Sequence, residues 1–152
     1  MRLRTLWRVP VFCAAAGIIS WNLAVYFLGR FAAVESPEGV YSIDTTRQLI
    51  VYGALFAAVL LVGGLVFFRN MSRKEIFWSA TIIVLYGLVL TAVEGFADIS
   101  AEQSLLIYEL SRPFEWCQFW SSGLYLLTGN IWIGAIASKL SIYLLVLFGK
   151  GK

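Results

Sequence analysis

Residues 49–68 read LIVYGALFAAVLLVGGLVFF, twenty consecutive positions without a charge or an amide. A soluble helix keeps a polar face toward water, and this run has none to offer. At 1.5 Å per residue it extends about 30 Å, the depth of a bilayer's hydrocarbon core. Residues 9–29 (VPVFCAAAGIISWNLAVYFLG), 76–97 (IFWSATIIVLYGLVLTAVEGFA) and 114–138 (FEWCQFWSSGLYLLTGNIWIGAIAS) have similar length and character. The pattern predicts an all-α integral membrane protein, a single domain over 1–152 with four transmembrane helices in an antiparallel bundle. Composition agrees: 60% of the residues are hydrophobic and 14% charged, where soluble domains average about half and about a quarter.

Apolar sequence resumes after Lys139 as LSIYLLVLFG, residues 140–149. Ten residues are too few to cross as an α-helix, so this tail is expected as an interfacial helix or an extension of the last span. A register at 124–148 would bury Lys139 at mid-membrane, at about 3 kcal/mol on insertion scales. Ending the span near Ser138 lets Lys139 reach the surface, and that register is expected.

Lysine and arginine set the orientation. With the N-terminus inside, the inner side holds Arg2, Arg4, Arg8, Arg69, Arg73, Lys74, Lys139, Lys150 and Lys152. The outer side holds Arg30, Arg47 and Arg112. Both termini are therefore expected in the cytoplasm. Small size, short loops and no organelle signal point to a plasma membrane, in particular a bacterial inner membrane. Of nine acidic residues only Glu75 falls inside. The outer face is thus acidic, a surface that attracts cations or a basic partner. The start MRLRTLWR resembles a signal-peptide n-region, but FAAVE at 31–35 puts Phe31 where cleavage wants a small residue, so cleavage is not expected.

Several functions lose support. The chain has no histidine, which removes imidazole-ligated haem, Ser-His-Asp triads and His-based zinc sites. Cys13 and Cys117 are expected at opposite membrane faces, too far apart for a disulfide. No CxxC or phosphate-loop pattern occurs, and no cofactor or metal is expected. Basic residues hug the helix ends, where anionic lipid attracts them, so the net charge of +3 points to lipid rather than nucleic acid. The sequon Asn70-Met71-Ser72 faces the cytoplasm, unused. Trp7 and Trp78, and on the other side Phe114, Trp116, Phe119 and Trp120, read as interfacial anchors.

The polar residues inside the spans are the candidate site. Glu94 shares a helix face with Gly87, Thr91 and Asp98. Asn22, Tyr26 and Arg30 recur every four residues in the first span. In the fourth, Glu115, Gln118, Ser122, Tyr125 and Gly129 recur at steps of three and four. Glu94 lies about 27 Å from Ile76 along its helix, close to the outer boundary and level with Arg30, so an Arg30–Glu94 pair is expected to be possible. The expected polar pocket comprises Asn22, Tyr26, Arg30, Thr91, Glu94, Gln118, Ser122 and Tyr125. The function expected first is a non-enzymatic accessory membrane subunit that binds lipid and either another membrane protein or a second copy of itself. The alternative is a small oligomeric ion- or proton-coupled transporter or channel subunit using the pocket around Glu94. A metal-dependent lipid enzyme would rest on Glu94 and Asp98 alone, a spacing common on ordinary helices.

Overall fold

The computed structural model describes residues 3–35, 37, 39–96 and 101–151. Their order is α1 (Leu3–Leu6), α2 (Arg8–Phe27, continuing as a wider turn through Ala32), β1 (Ala33–Glu35) and β2 (Tyr41–Ile43). Then follow α3 (Thr45–Val62, continuing through Phe68), α4 (Arg73–Phe96) and α5 (Ala101–Leu110). A tight 3₁₀ segment, Arg112–Cys117, leads into α6 (Gln118–Thr128), and α7 (Ile131–Leu140) continues as 3₁₀ helix through Phe148. Four helical stretches are long and apolar enough to cross a membrane: Arg8–Ala32, Thr45–Phe68, Arg73–Phe96 and Ile131–Phe148.

The ends of these stretches gather into two regions. At the basic end, Ser79 Oγ accepts from Val9 N (3.1 Å) and donates to the Leu6 carbonyl (2.6 Å). Phe12 packs on Phe67 and Phe68. Lys150 N donates to the Met71 carbonyl at 2.9 Å, so the C-terminal end meets the turn between α3 and α4. Ser72 and Glu75 close a capping box that starts α4: Glu75 Oε2 accepts from Ser72 N at 3.0 Å and Ser72 Oγ accepts from Glu75 N at 3.3 Å. At the acidic end, the two short strands form an antiparallel hairpin, Ala33 opposite Ile43. This ladder of three residue pairs is too short to be legible as alternation. Asp44 caps α3 by accepting from Arg47 N at 2.8 Å.

The fourth apolar stretch departs from the sequence expectation. Residues 114–138 are not one helix. Arg112-Pro113 turns the chain into α6, and Gly129, at φ +66°, ends that helix before Asn130 caps α7 through Trp132 N (2.9 Å). Of the two expectations for 140–149, an interfacial helix or an extension of the last span, the structure has the extension: it is the second half of a continuous helix, Ile131–Phe148. Its 18 residues suffice because the 3₁₀ half rises about 2 Å per residue, bringing the total to about 31 Å.

Residues 101–128 form a helical hairpin folded back among the long helices. Its apex packs where a glycine leaves room. A Cβ on Gly17 would collide with the Arg112 carbonyl oxygen and stand 2.9 Å from Pro113 Cα. Tyr86 Oη donates to the Leu110 carbonyl at 2.9 Å, Phe114 covers Gly87, and Trp116 stacks on Phe56 with centroids 5.5 Å apart. Gly17 is the tenth of 25 residues in its stretch, Phe56 the twelfth of 24, and Lys139, beside Phe114, the ninth of 18. The apex therefore reaches the midpoint of the long helices.

That placement corrects two expectations. Phe114 and Trp116 are buried rather than surface anchors, because the hairpin carries them inward. Cys117 travels with them. It and Cys13 are both buried and unbonded in one apolar cluster, with Val9, Phe68, Ile76, Ile142 and Leu145. The two cysteines thus share a core instead of lying at opposite ends.

Candidate functional site

Between α4, the hairpin and α7 lies a cavity of about 370 Å³. α4 contributes Thr91 and Glu94, the hairpin Tyr108, Ser111, Glu115, Gln118 and Ser121, and α7 Trp132, Ser138 and Lys139. At the acidic end its lining includes Glu94 and Ile131, near the ends of their helices. Its floor lies at mid-level with Glu115, Ser138 and Lys139.

Each polar residue reaches the cavity for a local reason. Thr91 Oγ1 donates to the Gly87 carbonyl of its own helix (3.0 Å), which satisfies the hydroxyl while the side chain stays buried. Gly134 allows α6 and α7 to touch, with the Ser121 carbonyl oxygen 2.5 Å from where a Cβ would be. Ser138, one turn further along, shares the face of Gly134, and with its neighbour Lys139 it lines the cavity. Glu115 sits in the 3₁₀ segment, 9% exposed, and accepts from Gln118 Nε2 at 3.4 Å.

Lys139 is the residue that sequence reasoning missed as a site. Its ammonium lies 4.4 Å from the centre of the Phe114 ring, a cation–π contact. Glu94 and Glu115 line the same cavity. Neither lies within 4.0 Å: the one ion pair of that length among the described residues is Glu109–Arg112. The available signal is a charge at the centre of an apolar window, and a register that ends the span at Ser138 hides it.

The other predicted residues divide. Thr91, Glu94 and Gln118 line the cavity together. Ser122 and Tyr125, on the same helix as Gln118, are not among its walls. Asn22 donates its amide to the Ile18 carbonyl of its own helix (2.8 Å) and is exposed. Arg30 lies over the Tyr26 ring, 4.7 Å from its centre, and forms no ion pair with Glu94 within 4.0 Å. Asp98 lies outside the described residues. Among the described residues, no group of three His, Cys, Asp or Glu side chains is placed to hold a metal. No protein-family model matches the chain, and no curated protein or solved structure matches it either.

Proposed function

We propose that this chain is a small multi-pass membrane protein that binds a polar solute in the cavity around Lys139, as a transporter-type subunit. In this reading the four long helices cross the bilayer antiparallel, with both termini on the cytoplasmic side. Residues 101–128 re-enter from the opposite face without crossing. Support comes from the basic end, which gathers Leu6, the 69–73 turn and Lys150, and from the exposed apolar side chains along all four stretches, such as Ile19, Val66, Leu85 and Ile133.

One observation carries the functional part. Lys139 is the ninth of 18 residues in an otherwise uncharged helix. A lysine at that depth costs about 3 kcal/mol on insertion scales, and such residues face protein or water-filled cavities and mark ligand pathways. Lys139 faces a cavity with two carboxylates and, among the described residues, sets its ammonium against the Phe114 ring with no carboxylate within 4.0 Å. A solute bearing an anionic group would meet Lys139, while Glu115 and Glu94 stand ready for its amine or for a proton. Below the floor, Ile142, Leu145, Cys13 and Ile76 are packed without exposure. That packing supports a binding chamber open on one side rather than a pore.

The test is labelling of Ser138→Cys by a membrane-impermeant thiol reagent in proteoliposomes. Reaction from the acidic face, slowed by a bound small carboxylate or amino acid, is expected. A Ser138→Cys variant whose new thiol reacts from neither side would mean no aqueous chamber and would end this reading. The accessory, partner-binding reading has a separate observation in its favour, the placement of Glu109 and Arg112.

A further inference from the structure

Glu109 and Arg112 form the one ion pair within 4.0 Å among the described residues, and they form it on the perimeter. Arg112 Nη2 and Nε reach Glu109 Oε1 and Oε2 at 2.7 and 2.9 Å, a bidentate pair. The Glu109 side chain is 60% exposed and that of Arg112 23%. Arg112 also lies over the rings of Trp21 (4.4 Å) and Tyr108 (5.4 Å). The pair borders a shallow surface with Ala14 and Ile18 of α2 and Tyr86 of α4. One turn along α2 from Ile18, exposed Asn22 extends the same stripe.

Depth makes this patch informative. The Arg112 carbonyl abuts Gly17, so the pair sits within about a turn of the midpoint of α2. Hydrocarbon at that level would leave an acid, a base and an amide facing lipid. Ionisable residues at such depth are costly and almost always face protein or water. We infer that this face is covered by a second copy of the chain. Glu109 and Arg112 are opposite in sign and adjacent, so a two-fold axis beside them sets each Glu109 against its partner's Arg112. That self-complementarity is what an isologous dimer requires. Ala14 in the stripe lets the two α2 helices approach closely. The inference rests on the membrane-spanning reading and not on the solute chamber.

The experiment uses the full chain in liposomes, with the dimer read by subunit-counting photobleaching and by oxidative cross-linking. Two bleaching steps and a cross-linked band for Ile18→Cys are expected, with no band for Val66→Cys, which is as exposed but lies on the continuation of α3. Glu109→Lys should lower the dimer fraction about tenfold, and Glu109→Arg combined with Arg112→Glu should restore it, with helical content unchanged throughout. Single-step bleaching of the wild type at every protein density would overturn the dimer. So would equal cross-linking at Val66→Cys. Either result leaves the Ser138→Cys labelling, and with it the chamber, to stand or fall alone.

Discussion

Lys139 and Arg112 are two cations at nearly the same level of the helices, and the fold treats them differently. Lys139 turns inward, over the Phe114 ring, with its carboxylates beyond 4.0 Å and a cavity in front of it. Arg112 turns outward, locked to Glu109 by two hydrogen bonds and laid over Trp21. A paired guanidinium has its charge answered within the chain, and what it lacks is cover. An ammonium with no carboxylate within 4.0 Å among the described residues has cover, and what it lacks there is a close counter-charge. The first arrangement suits a protein interface and the second a ligand.

The contrast breaks most completely if the apex that carries one cation and adjoins the other is displaced. Gly17→Leu places a side chain where the Arg112 carbonyl and Pro113 now lie, all of it backbone that cannot rotate aside. A loss of about 3 kcal/mol in thermal denaturation is expected, together with loss of Ser138→Cys labelling and of the dimer. Gly29→Leu, with nothing within 4 Å of its Cβ position, should leave all three intact. Should Gly17→Leu spare both readouts, the hairpin is not what sets the two cations.

Next in size is the pair of substitutions that should move stability in opposite directions. Lys139→Met removes a charge that the helix tolerates at about 3 kcal/mol. Melting should hold or rise by an equivalent of about 1–3 kcal/mol, while solute protection of Ser138→Cys disappears. Arg112→Met leaves Glu109 without its partner, and melting should fall. If Lys139→Met instead unfolds the protein, Lys139 is a structural ion and the chamber loses its central group. A smaller effect isolates the cavity side. Gly129→Ala strains the left-handed turn between α6 and α7 by about 1 kcal/mol. It should slow cavity labelling without changing the dimer.

The first three long helices were legible because their apolar runs are unbroken and each ends in a recognisable cap or charge. Residues 112–130 were not, because a hairpin that folds back and a helix that crosses have the same apolar composition. Only Arg112-Pro113 and Gly129-Asn130 distinguish them, and a proline or glycine alone does not say whether the chain turns back. Lys139 was misplaced for a related reason. Its cost at mid-depth is readable from sequence, but the ring and carboxylates that face it come from residues 94, 114 and 115, on other elements. The same folding-back brought Cys117 to Cys13. Helical spacing alone puts Glu94, Thr91 and Gln118 on inward stripes, and all three line the cavity.

The finest test of the comparison concerns Asn22. Its amide is spent on the Ile18 carbonyl of its own helix, so replacing it should not loosen the fold. If the α2 stripe faces lipid, Asn22→Leu removes a polar group from hydrocarbon, and only insertion improves. If the stripe faces a second copy, the same change deletes an amide at the seam. Interhelical hydrogen bonds in membranes average about 0.6 kcal/mol, so the dimer constant should weaken about threefold. Photobleaching across a dilution series resolves a shift of that size. An unchanged constant would confine the interface to Glu109 and Arg112, and a tighter dimer would mean that Leu packs better than Asn at a contact the polar group does not make.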